Sequence, residues 1–162
     1  KKYTLLDITI DDTQTLKGYF NNVALLVQKY FPDDTTESEI SVIAGVASQK
    51  EDPSVLPEKL QKYIYRYSAA AEELAKIKTP KSAGNLQVTF LNNFSNTALA
   101  LAQISKFQTD PIIGVVGMKN YQDEIMASRT FFSEAKILVR KSGLVFLQGD
   151  PGYFFEEYFK RI

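Results

Sequence analysis

Three proline steps, Asp52-Pro53, Thr79-Pro80 and Asp110-Pro111, cut this chain into segments that each carry a helical apolar stripe. Proline lacks an amide hydrogen and turns the residue before it away from helical geometry, so a helix can begin at each step but cannot run through it. An aspartate just before the proline can also cap the new helix. Between the steps, apolar residues return at three- and four-residue intervals, which places them on one helix face. The third helix, predicted from Asp52-Pro53 to about 77, carries Leu56, Leu60, Tyr63, Ile64, Tyr67, Ala71, Leu74 and Ile77. The fourth, over 80–107, carries Leu86, Phe90, Phe94, Ala98, Leu101, Ile104 and Phe107. The fifth, over 111–142, includes Ile112, Val115, Val116, Tyr121, Ile125, Met126, Phe132, Ala135 and Leu138, and Gly143 is placed to end it.

Upstream, Leu16, Tyr19, Phe20, Val23, Leu26, Val27, Tyr30 and Phe31 predict a first helix over 13–31, opened by a capping box from Asp11 to Gln14 and stopped by Pro32. Thr36 and Glu39 predict a second box, before a short helix to about 50. LLDITI at 5–10 alternates and predicts a short strand or extended arm. At the other end, LVFL and YFF flank QGDPG, which predicts a hairpin or tight reversal that the arm could pair with. At about 1.5 Å per residue the fourth and fifth helices would each run roughly 40–48 Å, and long helices with short links pack antiparallel. The expectation is an all-α fold, an elongated up-down bundle of four to five helices in a single domain. Its parts are an extended arm (1–12), the helices (13–143) and a hairpin-like aromatic tail (144–162).

Composition narrows the function. With 162 residues the chain can bury a core without disulfides or metal. Nineteen basic residues balance nineteen acidic ones, so nothing predicts capture of nucleic acid or anionic membrane. The absence of His and Cys removes imidazole bases, thiol nucleophiles and the usual zinc ligands. No apolar run reaches the roughly 18 residues that a bilayer requires. The start at Lys1 rather than Met fits either a removed N-terminal leader or anchor, or a cloning boundary.

No catalytic motif stands out. The acidic pairs Asp11/Asp12, Asp33/Asp34, Glu72/Glu73, Asp123/Glu124 and Glu156/Glu157 do not converge on their own, because neighbouring helical residues point about 100° apart. Neither calcium-loop spacing nor a phosphate-binding glycine loop is present. Gly114 and Gly117 lie one turn apart and predict either a close helix crossing or a flexible, partner-facing start to the fifth helix. Asn93-Phe94-Ser95 is formally a glycosylation acceptor, and on a mid-helix position it reads as a chance match. The expectation is no enzyme, no cofactor and no metal.

Two features remain as candidate sites. Asn85, Thr89, Asn92, Asn96 and Gln103 form an amide stripe along the fourth helix. Facing Tyr63 and Tyr67, its members Asn85, Asn92 and Asn96 could line a ligand pocket; the stripe could equally be a wet face or a register-fixing pair. The tail concentrates Tyr153, Phe154, Phe155, Tyr158 and Phe159, which could cap the bundle or dock a protein partner or second copy.

KIKTPKS at 76–82, DPIIGVVGMKNY at 110–121 and the GLVF…DPGYFF ending occur in an order that resembles a group of mostly exported helical proteins of small-genome candidate-phylum bacteria, a group with no established activity. The resemblance implies an extracytoplasmic location and a part in a cell-envelope assembly. The expectation is therefore a non-catalytic structural or interaction component of an envelope or surface assembly, docked through the tail. The alternative is a four-helix small-molecule sensor or binding domain.

Overall fold

The computed structural model describes residues 2–32 and 37–160. Among the described residues six α-helices follow one another: α1 (Leu16–Tyr30), α2 (Glu39–Ala47), α3 (Leu56–Leu74), α4 (Gly84–Ile104), α5 (Pro111–Lys141) and α6 (Tyr153–Phe159). No strand occurs among the described residues, so the protein is an all-α bundle. α4 is the central element, packed along α3 on one side and α5 on the other. α1 and α2 cover α3, and α6 closes against α5. Among the described residues no helix is long and apolar enough to cross a membrane.

All three proline steps act as breaks. Asp52 accepts from the Ser54 amide and opens a 3-10 turn, Pro53–Val55, that leads into α3. Asp110 accepts from the Ile113 amide and caps α5, with Pro111 in its first turn. Pro80 precedes a 3-10 turn, Lys81–Ala83, so α4 starts later than its stripe implies. Other boundaries differ too. The cap of α1 is Thr15, not Asp11, whose carboxylate instead accepts from the Thr13 amide and hydroxyl. The cap of α2 is Ser38, answered by Ser41; Thr36 and the Asp33/Asp34 pair lie outside the described residues.

The arm is neither a strand nor a partner of the tail. Leu5–Asp7 form a 3-10 turn capped by Thr4. Ile10 then makes a single parallel bridge to Thr79, the Asp11 amide donating to the Thr79 carbonyl and the Thr79 amide to the Thr9 carbonyl. The extended geometry that a proline imposes on the residue before it gives the arm a backbone to pair with.

The tail is not a hairpin either. Gly143 adopts φ +66°, and the amides of Gly143 and Leu144 return to the carbonyls of Arg140 and Val139, a Schellman ending. The chain then reverses at Asp150, whose carboxylate accepts from the Leu147 amide and pairs with Lys17 at 2.6 Å. The Gly152 amide donates to Asn21 Oδ1, and the aromatic run winds into α6. A seven-residue helix has too few internal hydrogen bonds to stand alone, so its packing on α1 and α5 supports it.

The core has two parts. The first gathers Tyr19, Phe20 and Val23 of α1, the ends of α3 and α4 nearest to it, Phe131, Ala135 and Val139 of α5, and the tail residues Phe146, Phe155 and Phe159. The second joins Val42 and Val46 of α2, Leu56 and Leu60 of α3, Ala100, Leu101 and Ile104 of α4, and Tyr121 of α5. Tyr67 packs against both.

Of the two readings of the glycine pair, the close crossing is the one observed. A Cβ on Gly117 would lie 2.7 Å from the Ile104 amide nitrogen and 2.8 Å from the Ala100 carbonyl oxygen. One on Gly114 would lie 2.7 Å from Phe107 Cα. The buried stripe at the start of α5 is thus Gly114, Gly117 and Tyr121, while Ile112, Val115 and Val116, expected in the core, are exposed.

Candidate functional site

The predicted amide stripe does not line a pocket. Asn85 is exposed. Asn92 clamps the arm, its Oδ1 accepting from the Tyr3 amide at 2.7 Å and its Nδ2 donating to the Tyr3 carbonyl at 3.0 Å. Gln103 accepts from Asn120. Tyr63 is buried and donates to the Glu37 carbonyl, away from these amides. Asn96 is exposed and reaches α5 through Glu124. One residue along a helix is a turn of about 100°, and the face of α4 that looks inward is the neighbouring one.

That inward face carries Phe90, Asn93, Phe94 and Thr97, and it borders a pocket of about 190 Å³ between α1, α3, α4 and α5. Val27 and Phe31 close it from α1 and the residue after it, and Tyr67 from α3. Tyr121, Glu124, Ile125, Ser128 and Phe132 close it from α5. The pocket lies where the two parts of the core meet. Rings form a continuous wall: Tyr67 and Phe31 have centroids 4.7 Å apart, Phe31 and Phe94 5.4 Å, and Phe94 and Phe90 4.3 Å.

The polar groups converge on two carboxylates. Asn93 Nδ2 donates to the Glu124 carbonyl at 2.7 Å and to its Oε2 at 2.9 Å, and Asn96 Nδ2 donates to Oε1 at 2.9 Å. Thr97 donates back to the Asn93 carbonyl. Behind the rings, the phenols of Tyr67 and Tyr121 both donate to Glu39 Oε1, at 2.7 and 3.2 Å. Burial, and then the Glu39 charge, push both phenols far above their usual range, so they remain neutral donors. Glu124 makes no ion pair among the described residues.

Sequence reasoning overlooked Glu124 and Asn93. Glu124 belongs to an acidic pair whose members do diverge: Asp123 is exposed and pairs with Lys119 at 2.6 Å, while Glu124 turns toward α4. Asn93 was visible only as a glycosylation acceptor, and at 5% exposure it is closed to that chemistry in the folded protein. The readable signal was its place three residues after Phe90 and four before Thr97, on the apolar face itself.

The tail residues expected to dock a partner divide. Phe155 and Phe159 are buried in the protein's own core, Phe155 with its centroid 5.0 Å from Phe20. Lying four apart, they share the inner face of α6 and are unavailable to a partner. Tyr153, Phe154 and Tyr158 are half-buried beside a shallow groove with Gln28, Asp150 and Glu157. Tyr158 stacks on Phe132 with centroids 3.9 Å apart.

No known protein family, curated protein or solved structure matches the chain.

Proposed function

We propose that the protein is a non-catalytic binding or sensor domain of the four-helix type, with the pocket between α1, α3, α4 and α5 as its ligand site. One observation carries this reading: a pocket of about 190 Å³ where the two parts of the core meet, lined by rings and approached by a few converging polar groups. Apolar concavities with a small number of placed polar side chains are the usual form of a small-molecule site. A screen of small aromatic fragments by protein-observed NMR tests it. Hits should perturb Phe94, Thr97, Tyr121 and Ile125, and should vanish in Ser128→Leu, which fills the space. An absence of hits, or hits indifferent to that substitution, would overturn the reading.

A second reading, a structural or interaction component of a cell-envelope or surface assembly, draws support from the half-exposed Tyr153, Phe154 and Tyr158 and from exposed Ile112, Val115 and Val116. Sedimentation of the wild type beside Phe154→Ser decides it. A defined oligomer that the substitution disperses supports assembly, and a monomer in both removes that support.

A further inference from the structure

Resting on the binding reading above, we infer that the pocket takes a compact organic cation, an ammonium group carried on one ring or a short branched alkyl chain. Three observations lead there. The first is charge. Among the described residues Glu124 is the one charged side chain in the lining. An ionised carboxylate offers about four acceptor sites, and the side-chain donors seen on Glu124 are the two amides of Asn93 and Asn96. Glu39 adds a second negative charge behind Tyr67 and Tyr121. The nearby lysines answer other acids, Lys59 to Glu37 and Glu51, Lys62 to Glu37, and Lys119 to Asp123.

The second is the wall. Phe31, Tyr67, Phe94 and Tyr121 surround the space with rings, and ring faces attract cations, most of all weakly hydrated alkylammonium groups. A neutral apolar ligand would satisfy the rings but would use none of the acceptor capacity left on the carboxylate. An anion would meet like charge. The third is size. A cavity of about 150 Å³ holds one benzene ring, so about 190 Å³ leaves room for a ring or its equivalent plus a small charged group.

Calorimetric titration of the full chain with phenethylammonium and with 2-phenylethanol, which match in size and differ in charge, tests the inference. The ammonium ion should bind at least tenfold more tightly. Glu124→Gln should level the two ligands. Asn96→Ala, which leaves the carboxylate charge in place, should keep the preference, and thermal unfolding of each variant verifies its fold. If both ligands bind the wild type equally, or if Glu124→Gln keeps the preference, the cation inference falls while the pocket stands as a binding site. If neither ligand binds and the fragment screen is also silent, the binding reading itself falls.

Discussion

The two parts of the core solve the same packing problem in opposite ways. In the part built on α2 and the adjoining ends of α3, α4 and α5, the fully enclosed residues are Val, Leu, Ile, Ala and Tyr. There α5 meets the backbone of α4 at Gly117 and that of the link after α4 at Gly114. In the other part, every buried phenylalanine of the described residues collects. Between α4 and α5 at that end, Phe90 and Phe131 stack with centroids 4.0 Å apart. Phe20 of α1 and Phe155 of α6 complete that aromatic end, with centroids 5.0 Å apart. Native cores are close-packed, and a change from small aliphatic groups to broad rings is a natural place for that packing to fail. The pocket lies at that change.

The sharpest test of the contrast is removal of the tail. Truncation after Gly143 takes away Phe146, Phe155 and Phe159 together, and the aromatic part should lose cooperative unfolding in urea. A sedimentation measurement on the same variant should find an expanded or self-associating chain; a compact, cooperatively folding product would mean that the aromatic part closes without α6. Next in size, Phe155→Ala should lower stability by about 3–5 kcal/mol in denaturant titration. Gly117→Ala should cost about 1–3 kcal/mol, because backbone on α4 must move to admit one methyl group. A neutral outcome would mean that the helices are not pinned together there. Val42→Ala removes two methyl groups from a small aliphatic cluster and should cost about 1.5–2 kcal/mol.

The smallest effect concerns the arm. The Thr13 hydroxyl, and after it Lys78 and the Thr13 amide, hold the Asp11 carboxyl at about 2, below the ordinary carboxylate range. A depressed folded value means stabilisation that is present above about pH 4 and lost as pH falls toward 2. Asp11→Asn should lower neutral-pH stability slightly, by the same small amount that acid removes from the wild type, and should abolish that part of the acid sensitivity; solvent screening of the half-buried group keeps the effect small. Melting temperatures between pH 5 and pH 2 check it.

Much of the architecture was legible in the sequence, because proline breaks and aliphatic spacing are local signals. The stripes of α1, α3 and α4 bury nearly the residues their periodicity selects. The start of α5 was misread because its buried stripe consists of glycines, which carry no hydropathy, while Ile112, Val115 and Val116 beside them do. The tail was misread because Gly-Asp-Pro-Gly serves equally as a hairpin turn and as the lead into a helix. Only Phe20 and Phe132, distant in sequence, decide between them. The amide stripe on α4 rests on spacing alone, and its members turn to different partners, Asn92 to the arm and Asn96 and Gln103 to α5. Which of two adjacent faces looks inward is set by neighbours, and Glu124 and Asn93 became a pair only when α5 was laid against α4.

The hydrogen bond from the Gly152 amide to Asn21 joins positions 131 residues apart. During synthesis, every residue enclosed in the aliphatic part has been made once Tyr121 emerges. The aromatic part must wait for Phe159. A ribosome therefore delivers this protein with one half able to close early, while the faces of α1 and α5 that will hold Phe155 stay uncovered until α6 arrives. The slowest and most chaperone-dependent step in its biogenesis should be the seating of those few aromatic residues.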